Sequence, residues 1–580
     1  MKKHNYSVLL VLASAFLLVG CKDQATGGMG RKNMLVADDA DGITITTDLT
    51  GTKEIHTTRQ AEYLSYTGDY ATIPEANYPD GQQHISEPNA INLAWVSNAV
   101  AGKTLLRFDV KIGQKEDLSD AFTVKGTTDP SLDVYNSYLG DNYFQVVANY
   151  TDGSKVESTI QKYTVNETYP RNLRIDGMTN CRDMGGGRTL EDGGKIKQGL
   201  IYRTSATTSW GNGRAVVPDS ITTDGKEVLF NQLGVKTEIN VNNGSDNHLS
   251  EVQNYVSAKM YYDGGKHHLY RNAEPIKEVF HALADENNYP VFYHCRIGTD
   301  RTGLCAILIS GLLGVSENEI YQDYLFSNFG NIQEKRYIGD KAGRDNILNY
   351  INDLKAFPGE KFQNKVYNYL LAIGVPAEEL NNVINILTEG TGAQGNDNCQ
   401  EVVLAKDFVA EDIQIKSETS QKHPKQYYTL EKDCAVTATF SPRYSGEAKL
   451  VAYLGSTTNS STLKMSDAFE VEIDGEAFEM DEVTFADAGF GQGDGRTYYS
   501  AVVLGTIDVF PQSMDVRIEG NANNLNIGAI SIIPIESVTP SNNPSSKGGC
   551  GGSIALTTSL IALVAIAGVS LLLIRRRKEN

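Results

Sequence analysis

Cys295 and Arg301 stand six positions apart in the stretch Pro290-Val-Phe-Tyr-His-Cys-Arg-Ile-Gly-Thr-Asp-Arg-Thr-Gly. A loop of that length between a strand and a helix can wrap its backbone N–H groups around one phosphate. Arg301 adds a planar fork that clamps two phosphate oxygens at once, which a lysine cannot do. Gly298 gives the loop the backbone freedom a tight curve needs. The N–H groups that hold phosphate also stabilise a thiolate, so Cys295 is the candidate nucleophile. Its attack on phosphorus would give a cysteinyl-phosphate that water then releases. The Thr302 hydroxyl is placed to hydrogen-bond the departing thiolate, and His294 orients the loop from behind. The candidate phosphate-binding residues are Arg296, Ile297, Gly298 and Thr299. This chemistry needs neither a metal nor a cofactor.

Such a loop must be positioned by a strand before it and a helix after it. The apolar run 291–294 supplies the strand, and 301–313 the helix whose positive end faces the loop. Through 171–389, short apolar strands alternate with helical stretches such as 275–283, which predicts an α/β domain with a parallel sheet and helices packed on it. The flanks read differently. Residues 41–170 alternate polar and apolar side chains at period two, with Trp95 in an early strand, and predict a fibronectin III- or immunoglobulin-like β-sandwich. Residues 399–536 return to strands and predict a second sandwich, beyond a linker at 390–398. Its last strand, near 526–534, is weakly similar to that of carbohydrate-binding modules, so a glycan is a candidate partner. The expected class is a multidomain chain: a central α/β domain between two β-sandwiches, with a C-terminal transmembrane helix.

The 580 residues suffice for about three to four domains. A net charge of −20 with no basic stripe excludes nucleic acid as a partner, and seven cysteines are too few for a disulfide scaffold. Residues 1–21 read as an export signal. Leu18-Val19-Gly20-Cys21 resembles a bacterial lipobox, which implies lipidation of Cys21. A flexible stalk at 537–553 leads to an uncharged stretch, 554–574, long enough to span a bilayer, and a basic tail follows at 575–580. Positive residues stay inside, so the body is expected outside the cell, tied to its membrane at both ends.

The loop resembles the signature of cysteine-dependent protein tyrosine phosphatases, in particular a bacterial tyrosine/serine branch whose loop ends Asp-Arg-Thr-Gly. Asn180-Cys-Arg-Asp-Met-Gly-Gly, Gly199-Leu-Ile-Tyr-Arg-Thr-Ser and the run Leu312-Leu-Gly-Val-Ser-Glu-Asn-Glu-Ile-Tyr-Gln-Asp-Tyr resemble further motifs of that branch. The resemblance implies phosphomonoester hydrolysis and covers about 220 residues, neither β region among them. It makes Asp300 the general acid, with Asp183 the rival, and it brings Asp183 and Arg182 near the phosphate. Two departures stand out. Thr299 replaces a lysine frequent in relatives, and Asn240-Val241-Asn242 replaces Asp-Leu-Arg, losing two charges.

Several smaller features complete the reading. Gly314 can end the loop's helix, and Ser316 with Glu319 forms a capping box for the next. His267-His268 has no third ligand at metal spacing and reads as a solvated turn. Cys181 is a candidate for a reversible disulfide with Cys295, Cys399 and Cys434 for a pair in the last sandwich, and Cys305 for a small buried apolar residue. The expected function is an exported, membrane-anchored phosphatase acting on protein phosphotyrosine and on phosphoserine/threonine or small phosphomonoesters. A phosphoinositide or inositol phosphate phosphatase is the enzymatic alternative, and a glycan-binding surface protein with a vestigial core the non-enzymatic one.

Overall fold

In the computed structural model, residues 42–535 are described except 99, 209–219, 245–247, 262–268, 270–271, 340–346, 356–360, 390–400, 418–425, 457–461, 489, 491–497 and 522–524. Cys21, the linker, His267-His268, Cys399, the stalk, the 554–574 span and the basic tail therefore lie outside the described residues. Among the described residues no helix is long and apolar enough to cross a membrane.

The central domain is built on five short strands: β1 (Arg182–Asp183), β2 (Ile201–Thr204), β3 (Thr237–Asn240), β4 (Asn254–Ser257) and β5 (Val291–His294). Their spatial order is β1-β2-β5-β3-β4, with β1 antiparallel to β2 and all other pairs parallel. The central strand β5 is buried at every position, as is normal for a strand covered on both faces. Around the sheet pack α1 (Ala273–Leu283), α2 (Asp300–Leu313), α3 (Glu317–Phe326), α4 (Ile347–Lys355), α5 (Phe362–Ala372) and α6 (Ala377–Leu387). Helix α2 is buried from Arg301 to Leu313, all round its circumference, which explains its nearly unbroken apolar sequence. Gly314 ends it in the left-handed conformation (φ +88°), and the Ser316 hydroxyl caps α3 by accepting from the Glu319 N–H.

The N-terminal region holds two sheets. Ile43–Ile45, Ile91–Ser97 and Ser131–Val134 form one; the other is centred on Leu105–Gly113 and Gly140–Tyr150. They enclose Trp95, whose ring meets Phe108 edge-on at 5.1 Å. The alternating pattern does not hold through 57–89. That stretch forms the helix Thr58–Leu64 and two 3-10 turns, and it packs on the central domain. Tyr63 donates to the Gln322 carbonyl (2.7 Å), and Gly81 and Ile85 donate backbone N–H bonds to Asn328 and Phe329. Tyr63, Tyr70 and Tyr78 belong to the central apolar core.

The C-terminal region is also a pair of sheets, one centred on Leu525–Pro534 and Gly446–Ser456, the other on Ala435–Phe440 and Met514–Gly520. It too joins the central core, through Val451, Tyr453, Ala529 and Ile533.

Candidate active site

The loop after β5 lies at the carboxyl ends of the parallel strands, where α/β sheets place ligands. Cys295 is the first residue past the strand and is 1% exposed. Helix α2 begins at Asp300, and no side chain caps its first N–H groups. Those donors are orphans and face an anion-binding position at the positive end of the helix.

The loop's curvature is enforced from outside. The Gly298 carbonyl accepts from the Asn180 side-chain amide and from Arg203, both at 2.9 Å. The Arg296 carbonyl accepts from the Ala206 N–H at 3.1 Å. Because a peptide unit is planar and trans, a carbonyl turned outward turns the following N–H inward, so the N–H groups of Ile297 and Thr299 point into the cradle. Gly298 has φ +73°, and a Cβ there would lie 2.6 Å from the Thr204 carbonyl oxygen. No other residue type fits without moving β2 or the loop.

Burial is the largest influence on Cys295 and pushes its thiol up. Arg301, together with the hydroxyl and N–H of Thr302, outweighs it, and the net result is a thiol more acidic than usual. The Thr302 hydroxyl is buried and faces the Cys295 sulfur, where it favours the thiolate. Arg301 is 7% exposed and donates to the Asn243 side-chain oxygen at 2.7 Å. Behind the loop, His294 sits between the Cys295 carbonyl (3.1 Å) and the Glu238 carboxylate (2.9 Å).

Asp300 makes a bidentate ion pair with Arg336, at 2.9 and 3.1 Å, with both side chains 12% exposed. Two other expected residues are not at the phosphate position. Asp183 is fully buried, paired with Arg171 at 2.9 Å and accepting the N–H groups of Gly185 and Gly199. Arg182 is also fully buried and donates to Asp323, Asn180 and Ser327. Both are corrected from substrate contacts to interior supports. They are neighbours on a strand, so their side chains leave opposite faces, and neither reaches the loop's concave side.

Asp323, from α3, gathers three arginines: Arg182 at 2.7 Å, Arg203, and Arg188 at 3.7 Å. Burial alone would raise its carboxyl, but these three guanidiniums hold it far below the usual carboxylate range. Through Arg203 this cluster is one bond from the Gly298 carbonyl. Asn180, Arg203 and Asp323 all lie within the recognised motifs, yet no role for them was legible there. Asn243, Glu238 and Arg336 carried no sequence signal.

Cys181 and Cys295 are both free thiols and belong to different apolar clusters. Cys305 is buried, its sulfur 3.9 Å from that of Met260. Among the described residues no group of His, Cys, Asp or Glu could hold a metal ion.

Residues 173–389 match the sequence profile described as "Tyrosine phosphatase family". The central domain is therefore a protein-tyrosine-phosphatase-like domain. The match supports phosphoric monoester hydrolysis as the chemistry of that domain. No curated protein sequence matches the chain. Among solved structures, a GH26-CBM35 β-(1,4)-mannanase from Podospora anserina aligns at 15% identity and a TM-score of 0.19, over 25% of this chain and 29% of that one. A family 35 carbohydrate binding module from Clostridium thermocellum aligns at 11% identity and a TM-score of 0.18, over 23% of this chain and 98% of that one. A carbohydrate binding module from Cellvibrio mixtus lichenase 5A gives 15% identity, a TM-score of 0.18, and 23% and 95% coverage.

Proposed function

We propose that the protein is an exported, membrane-anchored phosphatase that hydrolyses protein phosphotyrosine, and more slowly phosphoserine/threonine, through a cysteinyl-phosphate at Cys295. The observation that carries this reading is the acidified Cys295 thiol at the uncapped start of α2, with Arg301 beside it. The hydrophobic stretches at 7–19 and 554–574, with Cys21 and the basic tail, support anchoring with the body outside the cell.

In the first step the Cys295 thiolate attacks phosphorus, the bond from phosphorus to the substrate oxygen breaks, and that oxygen leaves with the electron pair. The loop N–H groups and Arg301 hold the three equatorial oxygens, whose charge they offset. In the second step water attacks phosphorus, the S–P bond breaks, and Thr302 donates to the departing thiolate. Asp300 is the carboxyl of the loop. Both its oxygens accept from Arg336, and as an acceptor it is suited to take the proton of the attacking water. A leaving oxygen that needs a proton is served less well, so phenolates are expected to leave faster than alkoxides.

The test is phosphate release by the full chain, under reducing conditions, from phosphotyrosine, phosphoserine and phosphoinositide substrates, with Cys295→Ser beside it. Turnover abolished by Cys295→Ser and led by phosphotyrosine supports the reading. Preference for the lipid headgroup replaces the substrate class, and no turnover from the folded, reduced chain overturns the reading altogether.

A further inference from the structure

His294 presents its two ring nitrogens to two acceptors. Nδ1 lies 3.1 Å from the Cys295 carbonyl oxygen, which can only accept, and Nε2 lies 2.9 Å from Oε1 of Glu238. A neutral imidazole has one N–H and one lone pair, and facing a carbonyl and a carboxylate it would leave one contact repulsive. The arrangement is satisfied when both nitrogens carry protons and Glu238 is ionised. The second Glu238 oxygen accepts the Leu249 N–H at 2.9 Å, which fixes the carboxyl group's orientation toward His294. Glu238 is fully buried and His294 is 2% exposed, so solvent does not compensate either charge.

We propose that Glu238 is a positioning residue that fixes His294 as a doubly protonated imidazolium behind Cys295, and that through it Glu238 favours the reactive thiolate. The pair as a whole is neutral, but its positive end is the nearer one to Cys295. The imidazolium also donates to the carbonyl of the nucleophile's own peptide unit. The other strands facing His294 offer no competing charge: its register partners are Asn240 on β3 and Thr204 on β2, both uncharged, and Phe292 on its own strand stacks at 5.5 Å. Among the described residues, Cys295 is the other titratable group that bears on it. Burial works against the imidazolium most strongly, and the Glu238 bond and charge reverse that, so His294 holds its proton above its ordinary range.

The placement also gives meaning to one departure from the family pattern. The acidic residue expected at position 240 is absent, and Glu238 stands two residues earlier on the same strand, hence on the same face. This chain therefore keeps an acidic group on that face of the strand beside the loop, at a different position.

The inference rests on Cys295 being the nucleophile, but its test does not use turnover. In the full chain, iodoacetamide labelling of Cys295 is followed by mass spectrometry from pH 5 to 9. Glu238→Gln is expected to move the labelling midpoint up by about one pH unit, about tenfold slower labelling at pH 6. His294→Asn, which keeps a neutral donor to the Cys295 carbonyl, should cause the same shift, and Glu238→Gln should add nothing to it. An unchanged midpoint in folded Glu238→Gln overturns the proposal, as does a further shift in the double variant. If the variants do not fold, the unsubstituted chain labelled with 15N-histidine decides. One ring should keep both nitrogens protonated to higher pH than every other histidine in the spectrum. Absence of such a ring overturns the proposal. A chain that labels as expected but releases no phosphate leaves the inference standing and removes the phosphatase reading.

Discussion

Asp323→Asn tests whether the arginine cluster supports the phosphate loop. The carboxylate accepts from Arg182 at 2.7 Å, from Tyr169 at 2.6 Å and from Arg203, and Arg188 lies at 3.7 Å. All of these groups are buried. Asparagine has the same shape but no charge, and it turns an N–H toward a guanidinium. Removing one side of a buried ion pair costs about 3–5 kcal/mol, because the partner charge stays buried without compensation. Part of that is recovered here. Arg182 keeps Asn180 and Ser327, Arg203 keeps the Gly298 carbonyl, and Arg188 lies 3.4 Å above the Tyr169 ring. The expected loss is therefore at the lower end, about 3 kcal/mol at pH 7, read as a drop in the urea midpoint of the full chain. The sign of the pH dependence follows from the depressed carboxyl. Its contribution is fully present above the unfolded value of about 3.9 and is lost as pH falls below it. The gap between the two proteins should therefore stay constant from pH 8 to 5 and close only under acid. A loss below about 1 kcal/mol, the scale of an exposed pair, would refute the claim that Asp323 compensates buried guanidiniums.

Three other outcomes follow from the site. Gly298→Ala meets both a positive φ and the Thr204 carbonyl at 2.6 Å; a loss in kcat/KM of at least about a hundredfold, ~2.7 kcal/mol, is expected, and near-normal kcat/KM would show that the loop is not held as described. Arg336→Gln frees Asp300 from its bidentate partner, so the ratio of aryl to alkyl phosphate turnover should narrow by about tenfold, and an unchanged ratio would show that the pair does not govern leaving-group protonation. At pH 7 one equivalent of iodoacetamide should label Cys295 and spare Cys181 and Cys305, whose thiols burial pushes up; peptide mapping that finds either of the latter labelled first contradicts the ordering.

The loop was legible because its chemistry is contiguous: one strand, one turn and the start of one helix hold every group that would touch phosphate. Its supports were not, since they come from far along the chain. Arg336 lies 36 positions beyond Asp300, and Glu238 reads as an ordinary residue of an alternating strand. Motif membership did locate Asn180, Arg203 and Asp323, but a motif names a neighbourhood and not a direction. Arg182 and Asp183 show the difference: adjacent in sequence, they diverge to Asp323 and to Arg171. Period-two patterning likewise found the sandwich strands and missed the docking of 57–89, because alternation reports which face of a strand is buried and not which domain buries it.

That docking changes what counts as the catalytic unit. The profile match spans 173–389, yet Tyr63, Tyr70 and Tyr78 from before it and Val451, Tyr453, Ala529 and Ile533 from after it lie in the same apolar core. An isolated central domain would expose the surfaces these residues cover. The N-terminal segment also reaches toward the loop through polar contacts. Ser86 accepts the Asn180 N–H at 3.3 Å and, through its carbonyl, the Asn172 side chain at 2.8 Å. Asn180 stands at φ +56°, an unfavourable angle for a residue with a side chain, and the same residue holds the Gly298 carbonyl outward. Ser86 thus helps keep Asn180 in the conformation that aims the loop's N–H groups inward, and the N-terminal module is part of the loop's scaffold.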